Sequence, residues 1–482
     1  MVTDVKPTPT SRAVRRPGLV IAVLAFAGMG TSFMQTIVIP IQSELPALLS
    51  TTRENTAWVV TITLLMSAIC TPISGKLGDM YGKRRVALVL LALLVAGSVV
   101  SAFSETVGPL IVGRGLQGTG VGVIPLGISI LRDTVPRRRL ASAIGLISAT
   151  LGVGGALGLP LSAFVTEHFD WHMLFWLAAG IGCLSFGLVA AVVPASPRRT
   201  GGRLDPVGVV GLSVGLAGLL LAVSRGNDWG WDSPRTLVCL IGGLCVLLVW
   251  GWYELRVGNP LVDLRVSARA PVLLTNLASV AMTFAMFSSS IVFPQMLELP
   301  VAAGGFGLPL LNASFVLMPA GLAMLAVSPV AGRLERSIGA KPLLVAGGAI
   351  IATAYGAAVL IDLDVWHLVA FNILIGVGIG LGFAAMPTII MQSVPDTETG
   401  AANGLNALMR GLGTSFAAAL IAMILTESST SYSGAAVPTA AGFDLAIVCG
   451  LVAAVVCTAI AFFIPRPAPH PDEHSALTQG VL

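Results

Sequence analysis

The chain has 482 residues, 55% of them hydrophobic and only 10% charged, with a formal net charge of +4. Soluble chains are roughly a quarter charged, so a water-soluble globular fold has too little polar residue here to cover itself. The charge is small and no basic stripe is interleaved with aromatics, which excludes a nucleic-acid partner.

Lipid removes the surface problem, because a bilayer solvates an apolar exterior. A tail, 1–17, comes first. Arg12, Arg15 and Arg16 precede an apolar run from Gly18 to about Gln42. That run is too long for the apolar region of a secretory signal, so it is taken as the first span. Fourteen spanning runs follow from end to end, at about 18–43, 55–75, 86–104, 107–131, 140–166, 171–194, 206–224, 236–253, 270–293, 309–331, 342–361, 366–391, 401–426 and 443–465. A backbone group without a partner in hydrocarbon costs several kcal/mol, so each run is expected to be helical. Short alternating segments of the barrel type are absent. A second tail covers 466–482.

Lys and Arg set the orientation. With the N-terminus in the cytoplasm, 22 of the 27 fall on the cytoplasmic side, three (Arg53, Arg225, Arg235) on the other, and two, Arg114 and Arg410, inside spans. This bias supports an even number of spans with both termini cytoplasmic, in a cell (inner or plasma) membrane.

An internal repeat emerges from the same pass. GKLGDMYGKRR at Gly75 is echoed 257 residues later by GRLERSIGAKP at Gly332. Val135-Pro136, followed by Gly145, is echoed 259 residues later by Val394-Pro395 and Gly404. Spans 1–6 (18–197) therefore match spans 9–14 (266–465), and spans 7 and 8 (198–265) form an insertion expected to pack peripherally. Parallel six-helix repeats around a substrate path are a transporter architecture.

The chemistry-bearing residues are few. The six cysteines lie inside apolar runs with no CxxC pair, so neither a disulfide framework nor a zinc site is expected. No GxxxxGK[ST] loop is present to cradle a nucleotide, and neither a cofactor nor a metal is expected. Asp79 sits at the cytoplasmic end of the second span, where it can pair with basic residues or cap a neighbouring helix. Arg114 lies inside the fourth span, facing either a partner and a wet cavity or, by snorkelling, the outer interface. In the thirteenth span, Asn403, Asn406 and Arg410 share one helix face. They form either a polar stripe toward the bundle interior or a structural network with span 9. No acidic residue lies well inside a span. Glu54 and Asp79 are the only candidates for proton coupling, and the interior should be net positive, favouring neutral, zwitterionic or anionic amphiphiles.

GKLGDMYGKRR resembles the signature loop of the major facilitator superfamily, with Gly75, Leu77, Asp79, Gly82, Lys83 and Arg84 at its positions. The resemblance implies a gate latch on the cytoplasmic side. LIVGRGLQGTGVGV at 110–123 resembles the superfamily's fourth-helix motif through Arg114, Gln117, Gly118 and Gly120. GVGGALGLPLSAF from Gly152 resembles the exporters' glycine-proline motif, with Gly154, Gly158 and Pro160, but Leu159 holds the usual proline position and Ser162-Ala163 replaces a glycine pair. Generic glycine packing is the alternative. The fourteen spans, WHMLF at 171–175, RLDPVG at 203–208, and Glu254 with NPLVDLR at 259–265 resemble the fourteen-helix drug:proton antiporter branch. One departure stands out: Met34 replaces the acid usual before Gln35 and Thr36.

The resemblance implies an all-α membrane fold of two six-helix bundles plus two helices. It implies secondary active efflux of a drug, antibiotic or lipid-like molecule by a monomer, with protons as coupling ion. A facilitator or importer is the alternative within transport, and a membrane enzyme or lipid sensor the alternative outside it. The substrate cavity or coupling site is expected to draw on Met34, Gln35, Glu54, Arg114, Gln117, Asn403, Asn406 and Arg410.

Overall fold

The computed structural model describes residues 17–38, 41–42, 44–195, 204–395, 398–432 and 435–465; the two tails expected at the ends lie almost wholly outside them. The described residues are all-α apart from one hairpin. The first bundle contains α1 (Pro17–Thr36), α2 (Arg53–Tyr81), α3 (Lys83–Ala102), α4, α5 (Arg137–His168) and α6 (His172–Val192). The insertion is α7 (Pro206–Trp229) and α8 (Pro234–Glu254). The second bundle contains α9 (Ala270–Glu298), α10 (Leu310–Ile338), α11 (Ala340–Leu360), α12 (Val365–Ser393), α13 (Thr399–Glu427) and α14 (Ala440–Phe463). Strands β1 (Ser429–Tyr432) and β2 (Ala435–Pro438) pair antiparallel between α13 and α14.

Among the described residues thirteen helices are long and apolar enough to cross a membrane. The fourth span, α4, is the one missing from that count, because it is broken into Val107–Thr119, a 3-10 turn at Gly120–Gly122, and Val123–Thr134. Glycine is a poor helix former, and here it permits contact: a Cβ on Gly118 would stand 2.5 Å from the Thr63 carbonyl of α2, and one on Gly120 2.5 Å from Leu94 of α3.

Several span ends differ from expectation; the seventh, ninth and tenth run on to Trp229, Glu298 and Ile338. The first ends at Thr36 rather than near 43. By sequence, Pro40 has no N–H to offer the Thr36 carbonyl and disfavours helix in the residue before it. The second runs past 75 to Tyr81, so the expected loop is the last two turns of a helix and only Gly82, with φ 105°, separates α2 from α3. Gly339, 257 residues later, separates α10 from α11 with φ 89°. Both need a left-handed backbone that glycine adopts without a steric penalty.

The repeat also appears in packing. Gly154 of α5 lies against Ser32 and Met29 of α1, and Gly413 of α13, 259 residues on, lies against Thr283 and Val280 of α9. Across the bundles, Gly145 of α5 faces Ser328 of α10, and its counterpart Gly404 of α13 faces Thr71 and Pro72 of α2. Two seams, α5 with α10 and α13 with α2, thus join the halves.

Peripheral packing describes α8, whose Val238 and Leu248 are 71% and 66% exposed. It does not describe α7, which is wedged where α2 meets α13. Thr61 and Ser224 hydroxyls meet at 3.0 Å between α2 and α7, and the Asn227 amide reaches the Ala419 carbonyl of α13 at 3.5 Å. Arg225, 1% exposed, donates to the Glu54 carbonyl at 3.0 Å, pairs with Asp228 at 3.1 Å and covers the Trp58 ring. Leu65, Leu212, Leu216, Leu405 and Leu408 fill the space between the three helices.

Candidate functional site

The end of the bundle that carries the Gly75–Arg85 segment is closed by contacts between the halves. Gly75 abuts the Gly400 backbone so closely that a Cβ would stand 2.8 Å from its carbonyl carbon. This approach delivers Asp79, 5% exposed, to the start of α13, where its two oxygens accept from the Gly400 N–H at 3.3 Å and the Ala401 N–H at 3.0 Å. First-turn amides of a helix have no partners within it and sit at the positive end of its dipole, so a carboxylate is the natural cap. Lys83 stands 3.9 Å from Asp79 and forms the shorter pair with Asp133 at 2.7 Å. Its ammonium also reaches Thr399 at 3.5 Å, and the Thr399 and Ser129 hydroxyls meet at 2.8 Å. Asp79 therefore both pairs and caps, the two roles left open by its position. Beside the latch, burial foremost and the Asp263 charge next push Glu398 above the ordinary carboxylate range, against Lys76 and Arg269.

The remaining signature residues support this end. Gly82 makes the turn, Leu77 is half-buried, and Arg84 donates to the Ala190 carbonyl of α6. At the matching place in the second half Gly332 abuts Ser142 of α5, and Arg336, which holds the position of Asp79, donates to the Arg138 carbonyl. The two seams close with different chemistry.

Arg114 is 1% exposed and does not snorkel. One guanidinium nitrogen donates to the Met34 carbonyl at 2.7 Å and to Gln117 Oε1 at 2.8 Å, and Gln117 donates onward to Ser98 at 2.8 Å. Because α1 ends at Thr36, the Met34 carbonyl belongs to its last turn, where carbonyls are orphaned and cations are favoured. Ser162 of α5 donates to the Ile37 carbonyl at 2.5 Å in the same region. The departure at Ser162 thus carries a contact. Met34 contributes its carbonyl, while its side chain lies in an apolar cluster with Phe33, Ile37 and Phe175. Gln35 is half-buried, and Glu54 is exposed at the far rim.

Gly154 and Gly158 press α5 onto α1, at Ser32 and at Phe33 and Thr36 respectively, and Pro160 is accommodated inside α5. On α13 the shared face divides into different roles. Asn403 donates to the Thr399 carbonyl of its own helix at 2.8 Å, leaving Oδ1 buried without a partner. Asn406 donates to Asn276 Oδ1 at 3.0 Å and Ser279 Oγ at 2.7 Å of α9, the structural network. Arg410, one turn on, holds its Cζ over the Phe383 ring of α12, 4.8 Å from the centroid.

Sequence reasoning did not anticipate the roles of Asp133, Thr399, Ser162, Phe383 or Arg225. Asp133 and Thr399 are ordinary helix-end residues by sequence, and only the tertiary approach of α3, α4 and α13 joins them. Asp205 and Glu254 enter the sequence reading only as parts of resembling segments; the structure brings them together at Gly208.

Comparison with known proteins agrees with this architecture. The family model described as Major Facilitator Superfamily matches residues 24–418. The chain is 25% identical over 428 residues to the multidrug transporter protein MdtP of Bacillus subtilis, covering 87% of this chain and 76% of that one. It is 25% identical over 469 residues to the lincomycin resistance protein LmrB of Listeria monocytogenes, covering 94% and 97%. Among solved structures it resembles the proton:xylose symporter XylE, with TM-score 0.63, 14% identity and coverage of 93% and 95%. It likewise resembles the human organic anion transporter MFSD10 (TETRAN), with TM-score 0.59, 16% identity and coverage of 93% and 99%. A chain of fourteen spans in two repeated halves, closed at one end by the signature segment and matched by this model over most of its length, is a multi-pass membrane transporter and belongs to the major facilitator superfamily.

Proposed function

We propose that the protein exports a hydrophobic or amphiphilic small molecule, of the antibiotic or lipid-like class, by alternating access coupled to protons. The observation that carries this reading is the seal at the basic end, where Asp79 of the first half holds the first-turn amides of α13 in the second. Alternation needs a closure that is strong enough to shut one side yet breakable at one place. A carboxylate on helix amides meets that need, because its hold depends on its charge. The bias of Lys and Arg supports a cytoplasmic position for this end, with both termini there and the chain in the cell membrane. The multidrug transporter MdtP and the lincomycin resistance protein LmrB support drugs as the substrate class. Both halves lie in one chain, so a monomer is the transporting unit.

The test is accumulation of a panel of lipophilic dyes and lincosamides in everted membrane vesicles, with and without an imposed pH gradient. Accumulation that collapses with the gradient is expected. Equal movement without a gradient would identify a facilitator, and accumulation only in right-side-out vesicles an importer.

A further inference from the structure

Arg410 lies about 17 Å along α13 from Thr399 at 1.5 Å per residue and is 6% exposed. At such depth a guanidinium needs partners for its charge. Arg114 has them, in the Met34 carbonyl and Gln117. Arg410 does not: among the described residues its guanidinium makes no hydrogen bond and no ion pair, and its own carbonyl merely accepts from Thr414. Its neighbour on the same face, Asn406, is already committed to Asn276 and Ser279. What Arg410 does have is the Phe383 ring. The ring shares the charge but offers no lone pair, so the five N–H donors of the guanidinium are left without an acceptor.

We propose that Arg410 and Phe383 form a substrate subsite for a carboxylate carried on an apolar body. The inference deepens the transport reading and rests on it. A carboxylate meets the free edge of an arginine with two parallel hydrogen bonds, supplying the negative charge that the surrounding helices lack. Phe383 stabilises the cation through its ring, with the guanidinium carbon 4.8 Å from the centroid. A quaternary ammonium would meet a buried, unneutralised cation of its own sign. A neutral amide would recover only part of the hydrogen bonding.

The experiment uses the full chain in lipid nanodiscs and three naphthalene amphiphiles of equal length ending in a carboxylate, a carboxamide or a trimethylammonium, with affinity read from probe fluorescence. The carboxylate should bind at least tenfold tighter than either other probe. Arg410→Gln should erase that preference. Arg410→Lys should restore it in part, since a point charge replaces the fork, and Phe383→Leu should weaken the carboxylate severalfold while leaving the carboxamide unchanged. Melting curves check each fold; if Arg410→Gln does not fold, Arg410→Lys and Phe383→Leu carry the test. Tightest binding of the trimethylammonium, a carboxylate preference untouched by these variants, or binding of none of the three overturns the subsite. Proteoliposome flux separates the two claims. Flux of a probe with no carboxylate preference removes the subsite and leaves transport standing. Selective carboxylate binding without flux supports the subsite and removes the transport reading.

Discussion

Asp79→Asn isolates the latch with little change of volume. The native carboxylate accepts from two amides of α13, at 3.3 and 3.0 Å, across the seam between the halves. Asparagine keeps one acceptor, turns an NH2 toward an amide that is itself a donor, and loses the attraction to the helix dipole. Hydrogen bonds to charged groups contribute about 1.5–3 kcal/mol, and both of these are long. Desolvation of the carboxylate offsets part of the gain, so a loss of about 2 kcal/mol for the closed end is expected. At about 1.4 kcal/mol per tenfold, that is about a thirtyfold shift of the equilibrium between closed and open at this end. Spin labels at Tyr81 and Ile338, both exposed near this end on opposite halves, report the shift as pulsed-resonance distances in a cysteine-free background. The short-distance population should dominate in the parent and give way to a longer one in Asp79→Asn, with efflux reduced and membrane levels normal. An unchanged distance distribution would refute the latch and leave Lys83, Arg84 and Arg85 the role of fixing orientation.

Other consequences are as direct. Gly82→Ala and Gly339→Ala each force a side chain into a left-handed backbone, and each should cost about 1–2 kcal/mol, visible as a lower melting temperature in detergent. Gly332→Val drives side-chain atoms into Ser142, and overpacking of about 1–3 kcal/mol should open the α5–α10 seam; normal efflux with an unchanged Tyr81–Ile338 distance would count against that seam as a closure. Glu398 titrates above its ordinary range in the folded chain because burial and Asp263 oppose its charge. Ionising it is therefore harder folded than unfolded, and stability falls as pH rises above the unfolded value. Glu398→Gln should raise the melting temperature at pH 8 and leave it unchanged at pH 4.

The spans were legible because hydrocarbon admits few backbone solutions, and charge-free runs of about 20 residues have one of them. Their ends were less so. Hydropathy carried the first span to residue 43 because Ile37, Val38, Ile39 and Ile41 are apolar, although Pro40 argued for an earlier stop. Charge in KLGDMYGKRR suggested a loop, yet the segment stays helical to Tyr81 because its polar groups are taken up by α4, α6 and α13. The latch residue was readable from Asp79 itself, but not the amides that hold it. Arg114 meets Met34 through a backbone carbonyl and not a side chain, a contact that depends on where α1 ends. Spacing put Asn403, Asn406 and Arg410 on one face. Only the positions of α9 and α12 separate a packing network from a cation with a free edge. Nothing in the insertion's composition tells α7 from α8, and the wedge of Arg225 into α2 is visible only in the fold.

The unlike chemistry of the two seams has a mechanical consequence. Apart from the Arg336 hydrogen bond to the Arg138 carbonyl, the contacts along α5 and α10 include small residues meeting small residues or flexible methionine, at Ser142–Gly332, Gly145–Ser328, Gly152–Met324 and Ala156–Gly321, a stretch of about 21 Å at 1.5 Å per residue. Such a surface can roll without breaking any charge pair. Along α2 and α13 the same end is held by a dry carboxylate that must either keep its amides or find water. If the halves alternate as proposed, the difference between Asp79 and Arg336 makes the first seam the expected hinge and the second the expected lock, although the two halves repeat one plan.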